Sequence, residues 1–465
     1  MKNIYKQLII VIVLLSGILC QEIPNEFLEF HSQNILYDVG EGWESNTILG
    51  SPRFQDLNNN STSGSDSLYA KLRGGFHVLN KAAALYGFGN FTFKKYFYGY
   101  LYARIVNNGE EFLGYTGIPR DISRAGFNSG ETDISGLGFQ NDWFNFQFGR
   151  GRESWGAGNN IQIALNGNSS SYDYGLIRLN FGQLRLKYIH GFLESIDNGT
   201  NRYITARGIE WANQKSILIG FSEIVIYSGL NRPLDIGYLN PISSHLEIEL
   251  NDRLNIQGHS DANAIWQVSL DWLINQRFRI SGNYIIDEFV LDSKIQTNKE
   301  HGKAYSLKTL LSLIKNNSLL FNIHSSLIYV GTPTFRHGTG SNNFIQRNKP
   351  LGWEYGSDGT KISLGIDFFN RKNLITKIEV AKIEVGEESI INRPYDAYAD
   401  YLKGKFPSGT INKSIALTSE FQFWFKSNIS FMGNVQIKKI ANSDTLLSGL
   451  IGFNIFLPKS IKIEI

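Results

Sequence analysis

Apolar and polar residues alternate with a period of two along much of this chain. Leu68, Ala70, Leu72, Gly74, Phe76 and Val78 share one face of a run, opposite Tyr69, Lys71, Arg73 and His77. Leu184, Leu186, Tyr188 and Phe192 oppose Gln183, Arg185 and Lys187. Phe278, Ile280, Gly282, Tyr284 and Ile286 oppose Arg277, Arg279, Ser281 and Asp287, and Leu417, Phe421, Phe423 and Phe425 oppose Thr418, Glu420, Gln422 and Lys426. Successive side chains of a strand point to opposite faces, so these runs predict strands with one apolar and one polar side. A sheet between lipid and a wet lumen has this pattern, and so do soluble sandwiches and propellers.

The connections separate these cases. After residue 261 the runs are joined tightly at 275–276, 315–317, 370–373 and 427–428, and loosely through 291–302, 331–356 and 386–413. Alternation of short turns with long polar loops is the asymmetry of an outer-membrane barrel, with short turns on the periplasmic side. With 427–428 periplasmic, the last strand descends and the C-terminus falls in the periplasm. Eight or nine runs follow residue 261 and a similar number lie between 68 and 227, so about sixteen to eighteen strands are expected, enough to enclose a lumen. The expected fold is therefore all-β: a large antiparallel transmembrane β-barrel with room for a small helical or loop plug. Near 381–382 the apolar set moves from Ile378 and Val380 to Ile383 and Val385, which predicts a bulge.

Lys2 and Lys6 precede an apolar run at 8–19, too short to span a bilayer, followed by Cys20-Gln21-Glu22. This reads as a signal peptide over 1–20, cleaved after Cys20, with a lipoprotein acylated at Cys20 as the weaker alternative. Residues 21–67 form an irregular periplasmic or plug segment ending in the polar string 58–65, and 68–465 the barrel. The expected location is the outer membrane of a diderm bacterium, reached through the periplasm. Barrels of this class often end in an aromatic residue, whereas here Pro458 interrupts the last run and the sequence reads Lys462-Ile463-Glu464-Ile465.

Composition narrows the chemistry. With 46 glycines, 10 prolines and 13% aromatics, many at strand ends, the chain suits a sheet with interfacial rings. Cys20 is the one cysteine, so the mature chain has no disulfide or thiolate metal site. The formal charge of +3 drops to +1 without Lys2 and Lys6, so no strong field points to nucleic acid or to an acidic ligand. No later apolar run reaches about eighteen residues, so any membrane crossing falls to strands.

Candidate chemistry is densest at 148–160, where Arg150, Arg152, Trp155, Asn159 and Asn160 are separated by glycines. Tryptophan offers a flat face to a sugar ring, and arginine and asparagine donate to hydroxyls or carboxylates. The bland alternative is a glycine-shaped turn with arginines lining the wall. A second cluster, 232–241, reads as a plug or short helical connection inside the barrel. A third joins Arg336 and His337 to Trp353, in a loop that the strand parity directs outward. Lone His190, His245 and His324 form no ligand spacing, Asp287-Glu288 and Glu387-Glu388 are adjacent and so poorly placed to flank one bond, and no nucleophile or metalloprotease motif occurs. No enzyme activity, cofactor or metal is expected.

Several of these segments together resemble the capsule assembly protein family of the Wzi type. The run 149–158 is similar to that family's Gly-Arg…Trp-Gly-x-Gly segment, with Ala157 where proline is common. Tyr238-Leu239-Asn240-Pro241, Asp261-Ala262-Asn263-Ala264, Ile286-Asp287-Glu288-Phe289 and the stretch from Pro333 through Arg336-His337 to Pro350-Leu351-Gly352 follow in order. They cover about half of the chain, between 136 and 365; the N-terminal third and the last hundred residues match in strand style alone. The resemblance implies a barrel of about eighteen strands that binds surface or capsular polysaccharide and assists capsule attachment; in some gliding bacteria, relatives serve motility. Arg150, Arg152, Trp155, Arg336, His337 and Trp353 are then the expected polysaccharide-binding residues. Outer-membrane lipid and the barrel-assembly machinery are the other expected partners. The alternatives are a diffusion channel, lined by Arg185, Lys187, Arg277 and Arg279, and a scaffold for adhesion or gliding.

Overall fold

The computed structural model describes residues 28–41, 46–50, 67–79, 81–94, 96–112, 114–196, 199–254, 262–287, 298–398, 404–426, 428–441, 445–456 and 461–464. The leader with Cys20, the polar string 58–65 and Pro458 lie outside them. A helix, α1 (Leu28–Asp38), precedes the first nine strands: β1 (Ser67–Leu79), β2 (Ala82–Phe93), β3 (Phe97–Asn107), β4 (Ser129–Gln140), β5 (Phe144–Gly151), β6 (Tyr172–Phe181), β7 (Leu184–Ile196), β8 (Thr200–Ala212) and β9 (Ile217–Leu230). Two short helices follow, α2 (Ile236–Leu239) and α3 (His245–Leu250). Then come β10 (Ala262–Asn275), β11 (Phe278–Ile286), β12 (Lys303–Lys315), β13 (Leu320–Val330), a small hairpin of β14 (Ile345–Gln346) and β15 (Lys349–Pro350), β16 (Gly359–Phe369), β17 (Leu374–Val385), β18 (Asn412–Lys426), β19 (Ile429–Ile440), β20 (Thr445–Phe456) and β21 (Ile461–Glu464).

Every wall strand pairs antiparallel with its sequence neighbours, and β1 closes the ring by pairing with both β20 and β21. Those two are successive parts of one wall strand, in register with β1 at Arg73↔Phe456 and again at Ala70↔Ile461. The result is a closed barrel of eighteen strands. One set of tight turns is built by asparagines. Asn141, Asn180, Asn213, Asn275, Asn316 and Asn370 each accept backbone N–H groups two to four residues ahead through the side-chain carbonyl. Such Asx turns reverse the chain without help from neighbouring elements.

Outward positions are apolar and exposed, as with Leu101, Leu137, Phe148, Leu364 and Ile415. Near the tight turns an aromatic rim forms, in which Trp143 stacks on Phe181 at 6.2 Å. No described helix is long and apolar enough to cross a membrane. This is an outer-membrane barrel, and the apolar band seats it in outer-membrane lipid.

The interior is filled along much of its height. At the turn end, α1 lies in the lumen with Ile35 and Val39 against Leu310, Leu320 and Ile375. Its Tyr37 hydroxyl donates to Asp271, its Asp38 carboxylate pairs with Lys308 at 3.0 Å, and Lys315 reaches the Val39 carbonyl at 2.7 Å. The sequence shows little periodicity in 21–67; the wall supplies the partners that hold Leu28–Asp38 as a helix. Above the helix, Glu210 accepts the N–H groups of Ile48 and Leu49 while pairing with Arg185 at 2.8 Å.

At the loop end the interior is a dry core. Inward-facing Ile189, Ile204, Ile224, Ile226, Ile265, Ile285, Ile328 and Val330 pack on residues of two long loops, among them Trp155, Ile163, Phe335, Phe344, Leu351 and Trp353. The expectation that 331–356 faces the exterior is therefore corrected: the loop turns down into the lumen, because the apolar wall there needs an apolar filling. Gly352 permits the closest approach, since a Cβ there would stand 1.7 Å from the Ile163 carbonyl oxygen. The bulge expected at 381–382 is also absent, as β17 keeps continuous register with both neighbours. Ala381, Ile383 and Val385 face inward against Ala416, Tyr355 and Ile391, while Ile378 and Val380 face outward. The apolar set changes face because the interior changes from wet to dry.

Burial alone would raise the Asp38 carboxyl, but Lys308, Arg279 and Lys377 outweigh it and hold it below its ordinary value near 3.8. A carboxylate lowered in the docked state contributes stability above its undocked value, lost as pH falls through the lowered one. Hydrogen-exchange protection across 28–41, corrected for intrinsic rates, should hold from neutrality to about pH 5 and decline below about pH 4. Asp38→Asn should reduce protection at neutrality and flatten that acid response.

Candidate functional site

The six residues singled out from the sequence do not converge. Trp155 is fully buried; its indole nitrogen donates to Glu153 at 2.7 Å, and Lys187, itself paired with Glu153, sits 5.6 Å from the ring centre. Trp353 is buried in the same core, edge-on to Tyr355 at 5.4 Å. Arg152 points into the lumen and pairs with Asp133, which Arg104 also approaches at 3.4 Å. Arg336 is buried against the Glu388 carboxylate and carbonyl, at 2.8 and 2.7 Å, with the Tyr398 ring 4.5 Å away. His337 is half-buried, its Nδ1 accepting from the Thr339 N–H at 3.0 Å. Of these five, Trp155, Trp353, Arg152 and Arg336 are buried and His337 is half-buried.

Arg150 is different. It lies one residue before the end of β5, on the outer side of the wall at the loop end, and lines a groove of about 540 Å³ with Thr116, Ile118, Arg120, Glu131 and Arg347. Arg150 donates to the Thr132 carbonyl and the Thr116 hydroxyl at 3.1 Å each, and to Asp173 at 3.0 Å. Glu131 fixes the floor, accepting from the Thr116 N–H and hydroxyl at 2.8 and 2.6 Å and from Arg104 at 2.7 Å. Arg347 donates once, to the Thr116 carbonyl at 2.8 Å. Three guanidiniums around one groove, one already anchored by a wall carbonyl, a loop hydroxyl and a carboxylate, form a preorganised donor set for carboxylate, phosphate or sugar hydroxyl oxygens.

Arg347 reaches this groove from the lumen. It occupies the tip of the β14–β15 hairpin, where Arg347 and Asn348 adopt left-handed φ of 49° and 61°. Two such residues in a two-residue loop make the turn that matches strand twist. The tip is clamped by Glu194, which accepts from the Arg347 N–H at 3.0 Å and from the Tyr395 hydroxyl at 2.8 Å. Burial pushes the Tyr395 hydroxyl up to about 12, so it stays a donor across the neutral range. Beneath the hairpin, fully buried Arg202 donates to the carbonyls of Ser341, Ile345 and Asn343 at 2.5, 2.7 and 2.6 Å and pairs with Glu194 at 2.5 Å. Sequence reasoning missed Arg120, Arg347 and Arg202; the asparagine in Gln346-Arg347-Asn348-Lys349 was the available hint of a hairpin tip.

The channel-lining set also has internal partners. Arg185 pairs with Glu210, Lys187 with Glu153 and Arg279 with Asp271; Arg277 lies exposed at a tight turn. A wetter strip persists on the far side, where Asn90, Glu420, Asn434, Gln436 and Lys438 face inward and stay partly exposed. The 232–241 cluster, expected inside the barrel, lies instead on the outer wall, with Tyr238 packed on outward-facing Tyr227 and Val225. Among the described residues no His, Cys, Asp and Glu side chains group to hold a metal.

The closed eighteen-strand fold matches outer-membrane proteins of Gram-negative bacteria. No protein-family model matches the chain, and no curated protein matches it. Among solved structures it is similar to Wzi of Escherichia coli, described as an outer-membrane protein involved in group 1 capsule assembly and a carbohydrate-binding β-barrel. Identity is 12%, the TM-score 0.57, and 85% of each chain is covered. It is also similar to OprD of Pseudomonas aeruginosa, at 10% identity and TM-score 0.48, covering 86% of this chain and 97% of that one. OpdK of the same organism, solved with vanillate, gives 8% identity and TM-score 0.46, covering 85% and 98%.

Replacing Arg202 with alanine leaves three carbonyls and Glu194 without their buried donor. The expected loss is about 3–5 kcal/mol, read as a lower unfolding midpoint of the detergent-folded barrel. Proteolysis within 331–357 should rise in parallel. Arg202→Lys keeps the charge but loses the planar fan, and should fall between wild type and alanine.

Proposed function

We propose that this barrel is a non-enzymatic receptor for surface polysaccharide, holding an acidic or phosphorylated polymer at its outer rim and assisting capsule attachment. The arginine groove carries this reading. Arg120, Arg150 and Arg347 surround a space open to the exterior, while the lumen behind it is packed with side chains. The similarity of fold to a carbohydrate-binding barrel supports it. Arg150 is the one residue of the expected six kept in the binding role; Arg120 and Arg347 join it. A shallow rim site binds each repeat weakly, and avidity along a repeating polymer supplies the rest. The barrel-assembly machinery would be its partner during insertion alone.

A second reading rests on the wetter strip beside β18 and β19, which a narrow solute path would use. Two measurements separate the readings. The purified, detergent-folded protein is titrated with the producing strain's own surface polysaccharide, alongside an Arg120→Ala/Arg150→Ala/Arg347→Ala variant. Saturable binding that weakens with salt, and drops about tenfold or more per arginine lost, is expected, with heat-modifiable migration unchanged. Absence of binding together with stable open steps in planar bilayers would transfer the assignment to a channel.

A further inference from the structure

Along β7 to β10 the outward-facing positions change character part-way up the wall. On β8, Trp211 and Ile209 are exposed, whereas Arg207, Thr205 and Tyr203 above them are covered. On β9, Ile219 and Phe221 are exposed, whereas Glu223, Val225 and Tyr227 are buried. The cover is residues 231–254, which fold back over the outside of the barrel and carry α2 and α3.

The docking is extensive. Tyr203, Tyr227, Tyr238 and His245 stack in series, with centroid separations of 5.0, 4.5 and 6.1 Å. Tyr203 and Tyr188 donate to the Arg232 and Tyr238 carbonyls at 2.8 and 2.9 Å, and Arg207 donates to the Asn240 carbonyl at 3.3 Å. Glu223 accepts the His245 N–H at 3.1 Å and pairs with Arg207 at 3.3 Å.

Height along the strand fixes where this happens. Arg207 lies four residues beyond Trp211 and pairs across with Glu223, itself four beyond Ile219. At about 3.3 Å per residue and a tilt near 40°, that is about 10 Å above the aromatic rim, well inside an apolar band about 25 Å tall. An ion pair at that depth needs cover from hydrocarbon. The covering segment then faces the same hydrocarbon, and its outer face carries a row of aliphatics, with Ile236 69% exposed, Ile242 88%, Leu250 81%, and Leu239 and Leu246 between them; Asn240, Asn251, Asp252 and Arg253 are exposed beside them. This face continues the exposed belt of Ile209, Ile219 and Phe221 below it.

We propose that residues 231–254 form an interfacial flap seated among the acyl chains of the outer leaflet, with Ile236, Ile242, Leu246 and Leu250 as its lipid-facing residues. The flap shields the Arg207–Glu223 pair and sets the height of the outer rim relative to the bilayer. It stands independently of the polysaccharide reading.

Bimane attached at Ile242→Cys, in a Cys20→Ser full-length chain folded into phosphatidylcholine vesicles, tests this. Leu101→Cys on the lipid-facing wall and Lys405→Cys on an exposed loop serve as references. The expected result is strong quenching by brominated acyl chains, matching position 101, with iodide quenching several-fold weaker than at position 405. Leu250→Cys should repeat it if the first variant folds poorly. Iodide access equal to position 405 would overturn the proposal. So would protection from both quenchers with protein-concentration-dependent cross-linking at these positions, which would assign the face to a second copy of the chain.

Discussion

Eighteen strands enclose a lumen too wide for the side chains of the wall to fill, and the rest of this structure answers to that constraint. A porin leaves the space to water. Here the chain inserts its own segments: α1 at the turn end, and the loops after β5 and β13 at the other. Each inserted piece brings backbone N–H and C=O groups that have lost water and need partners. The wall provides them with buried charged and amide side chains. Glu210 takes two N–H groups of the 46–50 segment, Asn283 takes both the N–H and the carbonyl of Ala157, Arg279 takes the Tyr37 carbonyl, and Arg202 takes three carbonyls of the 341–345 turn.

This explains why so many ionised groups sit paired in the barrel interior. A buried charge without a partner is expensive, so Arg185, Lys187, Arg279 and Lys308 each face a carboxylate. Their role is to fix where the filling docks. The same logic operates on the outer wall, where Arg207 and Glu223 pair with each other and bond the segment that covers them.

Much of the wall was legible from residues alone, because a period of two and asparagine-rich turns are local properties. The alternation at 277–287 and 417–426 and the tight joins at 275–276 and 370–373 are found as strands and turns; the join at 427–428 includes a residue outside the described ones. The filling was less legible, because alternation identifies two faces without saying which medium each meets. Trp155 and Trp353 have the composition of a sugar platform, yet the wall opposite them is aliphatic, so they became core. The available signal was a loss of alternation. Ile224-Val225-Ile226-Tyr227 is apolar on both faces, which requires a dry lumen on one side and a covered or lipid-facing wall on the other. The apparent register shift at 381–382 carried the same message, with the lumen becoming apolar toward the loop end.

The filling also determines where one rim arginine emerges. Phe344, Ile345 and Leu351 anchor the β14–β15 hairpin in the dry core, and Arg202 locks the turn before it. Its two-residue tip is left no freedom except to emerge beside Thr116, where Arg347 meets Arg150 from the wall. A loop on the surface would present the same guanidinium over many conformations and lose that freedom on binding. Here the ordering is already met by folding, because the segment that fills the loop end of the lumen also sets the position of a rim arginine. Filling and positioning are one structural device, and neither can be altered without disturbing the other.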